Sequence, residues 1–317
     1  MPFAALTHPG TNQLGDDICA LAALSRIPAP DYILNCGNLA QESEAIEGHA
    51  SAIVNGCFGQ WPEHWPPSDR LRPLLISLHI SHEQRANIRP SDFFLSPGMA
   101  KYLISHGPIG ARDLDTLELL HQAGAEAYFS GCITLTLERP DIAYNPDLVV
   151  LNDLPASLLP HVRGRSFRHV LQTSHSHTGF PLQDPTERLH RAAELLALYA
   201  SASCVVTTSL ECALPCLAIG TPVLLITDSL PPYGTTGLKE LLHHCSAEDY
   251  ITTAYSYDTN NPPANKQDHL PLRAAQLQRI EAFVAGDADY IWQPNPQHPT
   301  AAERNATLAA LGITLAA

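Results

Sequence analysis

Residues 204–227 read CVVTTSLECALPCLAIGTPVLLIT. An apolar, β-branched run from Cys204 to Thr207 stops at Thr208 and Ser209, and an apolar helical segment, Cys212–Ile219, follows. Gly220 and Thr221 then turn the chain into a second apolar run, Pro222–Thr227. Both runs read as strands, and strand-turn-helix repetition of this kind predicts a doubly wound parallel sheet. The junction Val205–Pro215 is where a strand's carboxyl end meets a helix N-terminus. In open α/β sheets that is where ligands bind, because the helix presents unpaired N–H groups there.

The same alternation extends towards the N-terminus. A Gly/Asn/Asp turn at Gly10–Asp17 leads into a helix over Ile18–Ser25, and short strands are expected at Tyr32–Asn35 and Ala52–Asn55. Leu74–Ile80 is a nearly continuous apolar strand, followed by a helix over Pro97–His106. Asp113 near the start and Gly124 at the end delimit a helix over Leu114–Ala123, and Ala127–Phe129 is a further strand. Asp147–Asn152 and Val170–Thr173 read as strands. Thr186–Ala200 reads as a helix with apolar positions at Leu189, Ala192, Ala193, Leu196 and Tyr199. The polar stretch Tyr255–Asp268 is expected to be a mobile loop. The pattern predicts an α/β protein of two Rossmann-like, doubly wound parallel-sheet domains, residues 1–150 and 151–299, with a C-terminal helix over 300–317 packing back on the first. A chain of 317 residues suits two domains of about 150 each.

A formal net charge of −14 argues against a nucleic-acid groove or an anionic membrane surface as partner. The N-terminus lacks the basic start and apolar run of a secretory signal. No apolar stretch reaches the roughly twenty residues that a membrane span requires. The eight cysteines show no CxxC pair and no zinc-type spacing, which predicts buried free thiols, a reducing cytoplasmic compartment and no bound metal.

Several segments resemble one family in its own order. Asn12-Gln-Leu-Gly-Asp-Asp-Ile18, Asn55-Gly56, Pro62-Glu-His-Trp-Pro-Pro67, Ser77-Leu-His-Ile80, Pro108-Ile-Gly-Ala-Arg-Asp113, Ala127-Tyr-Phe-Ser-Gly-Cys132 and Cys212-Ala-Leu-Pro-Cys-Leu-Ala218 resemble the polysaccharide pyruvyl transferase family, in its shorter members. The resemblance implies a GT-B-like pair of domains with the active site in the interdomain cleft, the first domain on the acceptor side and the second on the donor side. It implies transfer of a pyruvyl group from phosphoenolpyruvate to a sugar of an exopolysaccharide or cell-surface glycan precursor, forming a ketal. No cofactor is implied beyond phosphoenolpyruvate as donor substrate. The partner would be a sugar or lipid-linked oligosaccharide, with peripheral membrane association compatible with that acceptor.

Phosphoenolpyruvate needs cations or oriented N–H donors. Arg112 precedes a helix and suits a bidentate grip on an oxyanion, unless it pairs with Asp113 or Asp115. His79 and His175 each follow a strand and are catalytic candidates; a satisfied core histidine is the alternative for His79, and His177 is the weaker neighbour of His175. Asp16 is either a hydroxyl-activating carboxylate or a helix cap. Asn12, Asn55 and Gly56 are the acceptor-binding candidates.

One departure stands out. The family usually carries Ser-Arg-Leu-His before Cys-Ala-Leu-Pro, the arginine and histidine holding the donor, whereas this chain has Thr208-Ser209-Leu210-Glu211. Thr208, Ser209 and Glu211 are therefore donor-site candidates of altered chemistry. Three functions stay open: a pyruvyl transferase relying on Arg112 and His175, a GT-B-like glycosyltransferase with a nucleotide-sugar donor whose hydroxyl meets Glu211, and a non-catalytic saccharide or protein binder.

Overall fold

The computed structural model describes residues 1–58, 62–84, 88–176 and 184–286. The expected helix over 300–317 and His177 lie outside them. The chain divides into two compact units. The first comprises Met1–His8, Ala23–Ile133 and the chain from Ala275 on; the second comprises Pro9–Ala22 and Thr134–Ala274.

The first unit opens on β1 (Ala4–Thr7). Helix α1 (Leu14–Leu24), most of it in the second unit, leads to β2 (Tyr32–Asn35), α2 (Leu39–Glu42), β3 (Ala50–Phe58) and β4 (Leu71–Ile80). Helices α3 (Pro90–Leu95) and α4 (Pro97–Ser105) precede β5 (Ile109–Ala111), α5 (Leu114–Gln122) and β6 (Ala127–Phe129). All pairs are parallel, β1 with β2 and, separately, β3-β4-β5-β6. A single parallel bridge, Phe3 to Ser51, sets β1 beside β3, so the strand order is β2-β1-β3-β4-β5-β6. The order reverses direction between β1 and β3, which makes their carboxyl ends the ligand-binding edge. Trp65, 2% exposed, closes this core against Phe58, Phe94 and Tyr102 at ring separations of 4.6, 5.7 and 5.5 Å.

The second unit contains β7 (Asn145–Asn152), α6 (Leu159–Arg165), β8 (His169–Thr173), α7 (Pro185–Ser201), β9 (Ala202–Thr207), α8 (Leu210–Ala218), β10 (Val223–Ile226), β11 (His243–Cys245) and α9 (Ala247–Thr252); α10 (Leu270–Ala285) follows. Its five parallel strands run β8-β7-β9-β10-β11, the same doubly wound order, with the reversal between β7 and β9. The strands that flank the opening motif, β9 and β10, are buried at every residue, as two-sided burial in a parallel sheet requires.

Three expectations need correction. A cut at residue 150 would pass through β7, whose partners β8 and β9 both belong to the second unit, so that unit begins earlier and also takes Pro9–Ala22. On α7 the apolar positions Ala192, Leu196 and Tyr199 are buried, but Leu189 is half-buried, Ala193 is exposed, and the charged Arg188 is buried at 1% exposure. Tyr255–Asp268 is irregular but pinned. Tyr257 and Thr259 are buried, Asn260 accepts the Phe167 N–H at 2.7 Å, and Asn265 accepts the Val223 N–H at 3.1 Å while donating to the Thr221 carbonyl at 2.8 Å.

The eight cysteines are free thiols, all but Cys57 buried. Burial pushes the Cys204 thiol up to about 12 and that of Cys245 to about 11, so both are protonated at neutral pH. Among the described residues no helix is long and apolar enough to cross a membrane.

Candidate functional site

The two strand-order reversals gather the expected residues into two groups, one in each unit. In the first unit, β4 and β5 end on His79 and on the turn that carries Arg112. Asp113 caps α5, its Oδ1 accepting the Thr116 N–H at 2.9 Å. Its other oxygen, Oδ2, lies 2.7 Å from His79 Nδ1. The Thr116 hydroxyl accepts the Ile80 N–H at 3.1 Å, which ties the end of β4 to the first turn of α5. The Asp113 side chain is fully buried and that of His79 is 13% exposed. A buried carboxylate bonded to one imidazole nitrogen fixes the orientation of the ring. Nε2 of His79 makes no hydrogen bond among the described residues, and is the nitrogen left for chemistry.

Burial opposes ionisation of Asp113. The His79 hydrogen bond and charge, the Arg112 charge and the Thr116 N–H outweigh it, and its pKa falls below the usual 3.8. A lowered folded value means stability that is present above the unfolded pKa and lost as pH drops through the folded one. Asp113→Ala should therefore cost about 1–2 kcal/mol at pH 7, in the range of a lost cap. That gap should narrow below the usual 3.8. Urea unfolding at about pH 7 and about pH 3, on either side of the usual carboxyl range, checks it.

Arg112 is half-buried, its backbone N–H bonded to the Leu78 carbonyl at 2.8 Å. The sequence alternative of an ion pair with the next residue is met in part: Arg112 contributes charge to Asp113, but the direct partner of that carboxylate is His79. Asn55, 2% exposed, sits where β3 meets a register shift in β4, beside Gly56 at φ 111°. A Cβ on Gly56 would lie 3.8 Å from Cε1 of His8, a residue at the end of β1.

In the second unit, Asp153 follows β7 at φ 52°, a left-handed conformation that aspartate tolerates better than most residues. The Thr208 hydroxyl holds its carbonyl at 2.7 Å, and its carboxylate accepts the Ser174 hydroxyl and, at 3.2 Å, the His175 N–H. His175 is 1% exposed. Its Nε2 lies 2.8 Å from the Tyr199 hydroxyl and its Nδ1 3.9 Å from Asp153 Oδ2. Burial, with the Cys212 and Cys216 thiols beside it, raises the Tyr199 hydroxyl well above its usual range. That hydroxyl therefore keeps its proton at neutral pH.

The His175 carbonyl in turn accepts the Leu14 N–H at 3.1 Å, and Gln13 Nε2 donates to Ser176 Oγ at 2.7 Å. Gly15 is packed so closely that a Cβ there would lie 2.6 Å from Glu211 Cβ and 3.4 Å from His175 Nδ1. Asp16 is half-buried in the first turn of α1 and makes no hydrogen bond among the described residues; Asn12 is exposed. Arg188 anchors this loop. Its Nε and Nη2 reach Asp17 Oδ1 and Oδ2 at 3.0 and 2.6 Å, and Nη1 and Nη2 reach the carbonyl and hydroxyl of Thr11 at 2.6 and 2.9 Å. Ser209 is the N-cap of α8 but forms no cap; its hydroxyl donates to Glu211 Oε2 at 3.0 Å.

Thus Asp16, His175, Thr208, Ser209 and Glu211 come together in the second unit, whereas His79, Arg112, Asn55 and Gly56 belong to the first. Asp113, Asp153, Tyr199 and Arg188 escape a sequence reading because their partners are distant in the chain. Asp113 shows only as a cap and Tyr199 only as an apolar helix position.

Among curated proteins no match was found. Residues 91–229 match the family model for polysaccharide pyruvyl transferase, which supports a polysaccharide-modifying transferase with a sugar acceptor.

Proposed function

We propose that the protein transfers a pyruvyl group from phosphoenolpyruvate to a sugar of an exopolysaccharide or cell-surface glycan precursor, forming a ketal. The observation that carries this reading is Arg112 beside the Asp113-braced His79, at strand carboxyl ends, with Arg112 and Asp113 inside the family-matched stretch. The chemistry requires an anion grip, a proton for the donor's methylene carbon and two sugar hydroxyls. One hydroxyl oxygen bonds to the enol carbon while the methylene becomes a methyl group. The second hydroxyl oxygen then displaces phosphate, so one hydroxyl proton is balanced at the methyl group and the other on phosphate. Arg112 grips the phosphate or carboxylate, and His79 delivers the methyl proton from Nε2. Asn55 and Gly56 stand at the same sheet edge as acceptor contacts, with exposed Asn12 as a further one in the second unit.

His175 and Asp16 enter the proposal differently from each other. Enclosed His175 braces Asp153 and, through its carbonyl, Leu14, and half-buried Asp16 is available to a sugar hydroxyl. A GT-B-like architecture, a lipid-linked acceptor met at the cytoplasmic membrane face and no cofactor beyond the donor substrate complete the proposal. Two separate parallel sheets are compatible with that architecture.

The Ser209–Glu211 hydrogen bond favours one rival, a glycosyltransferase whose nucleotide-sugar donor places a hydroxyl on Glu211. Thermal-shift titration with phosphoenolpyruvate and a panel of nucleotide sugars separates the two. Stabilisation by phosphoenolpyruvate is expected; a shift with a nucleotide sugar alone would refute the proposal. A non-catalytic binder is refuted by turnover that disappears in Arg112→Ala.

A further inference from the structure

We infer that Ser77 is a positioning residue: a bulge in β4, formed at Ser77 and held by Ser130 from beyond β5, turns His79 out of the apolar core and onto Asp113. That this geometry serves pyruvyl transfer rests on the proposed reaction. The bulge and its hold on His79 do not.

The register comes first. Val54 of β3 pairs with Leu75 of β4, and Gly56 pairs with Leu78. Two steps along β3 are matched by three along β4, so β4 carries one extra residue between these pairs. The burial of β4 changes phase at the same place. Leu71 and Leu75 belong to one buried apolar cluster, and so do Leu78 and Ile80, whereas β3 keeps an even spacing in it through Ala50, Ala52, Val54 and Phe58. Side chains alternate along a strand, so an unbroken β4 would carry the phase of Leu71 and Leu75 on to His79 and direct it into that cluster. With the extra residue, Leu78 and Ile80 take those places. His79 is released to the strand end, where its Nδ1 lies 2.7 Å from Asp113 Oδ2. Leu78 also pairs with Ala111 and accepts the Arg112 N–H at 2.8 Å, so the same offset fixes where Arg112 leaves β5.

The conformation is a second, separate observation. Ser77 has φ 57°, a left-handed backbone that serine seldom adopts, inside a strand. Such a residue persists only where its surroundings hold it. Ser77 is buried, its N–H donating to Ser130 Oγ at 3.1 Å and its hydroxyl to the Gly131 carbonyl at 2.7 Å. Ser130 follows β6, on the other side of β5, and its own hydroxyl donates to the Ala111 carbonyl at 2.9 Å. Gly110 of β5 opens the path between them. A Cβ there would lie 2.9 Å from Ser130 Cβ and 3.0 Å from Ile76 Cγ1. Gly110 has no left-handed backbone, so the space alone calls for glycine. Gln276 of α10 secures the Ser130 loop by donating to the Ser130 and Cys132 carbonyls.

The test uses the full chain with isotope-labelled histidine and follows the NMR signal of His79 Nδ1, assigned by its loss in His79→Gln, alongside turnover of phosphoenolpyruvate. Ser130→Ala removes the acceptor of the Ser77 N–H, and Gly110→Ala crowds Ser130. Each is expected to shift the His79 signal as Asp113→Asn does and to lower kcat roughly tenfold, as a small misplacement of a reacting group does. Ser77→Gly keeps the N–H and takes a positive φ freely, so the signal should stay in place. Cooperative thermal unfolding shows that each variant retains the fold, and either of the two alanine variants suffices. An unmoved His79 signal in a folded alanine variant, or a signal that Ser77→Gly displaces as far, would overturn the inference. If the signal behaves as expected but phosphoenolpyruvate is not turned over, the pyruvyl reading fails while the inference stands. Turnover that both alanine variants leave intact, with the His79 signal unmoved, overturns the inference alone.

Discussion

Arg188→Leu is expected to destabilise the protein by about 3–5 kcal/mol, the cost of breaking a buried ion pair from one side. Asp17 has no exposure, Arg188 has 1%, and Nη2 is 2.6 Å from Asp17 Oδ2. Removing the guanidinium strands a buried carboxylate and frees the carbonyl and hydroxyl of Thr11, which it also holds. The loss should reach the site, because the loop that Arg188 fixes carries Gln13, Leu14 and Gly15 against Ser176, His175 and Glu211. The double variant Asp17→Leu with Arg188→Leu should recover a large part of the stability, since an apolar pair of similar volume avoids the uncompensated charge. Thermal and urea unfolding of both variants measure this. A cost below about 1 kcal/mol would place the pair among weak surface contacts instead.

The second large effect is a gain. Ser209→Arg with Glu211→His restores the residue types that the family resemblance expects at the head of α8. Phosphoenolpyruvate should then bind roughly a hundredfold more tightly, because a cation replaces a neutral hydroxyl and a repelling carboxylate disappears. Calorimetric titration reads the change directly. Unchanged phosphoenolpyruvate affinity would mean that ligands do not enter at the head of α8.

What was legible in the sequence follows from how local each cause is. Strands β9 and β10 and the helix between them are written in continuous apolar runs and a Gly-Thr-Pro turn, so they can be read directly. Strands β1 and β5, of four and three residues, are too short to show any period and take their identity from neighbours in the sheet. Asp113 is legible as a cap through the Thr116 N–H three residues on, but its bond to His79 spans 34 positions. Arg188 looks like a solvent-facing charge on an amphipathic helix, and only a carboxylate 171 positions away explains its burial. The polar loop Tyr255–Asp268 misleads for the same reason, because its asparagines bond to strand and turn backbone far from them in sequence.

The proposed reaction stands or falls on the donor. Calorimetric titration of phosphoenolpyruvate into the full chain and into Arg112→Ala tests it most directly. Saturable binding by the natural sequence, weakened at least about tenfold in the variant, is the predicted result, as loss of a charged bidentate contact requires. No binding of phosphoenolpyruvate, with saturable binding of a nucleotide sugar that Arg112→Ala leaves intact, would contradict it.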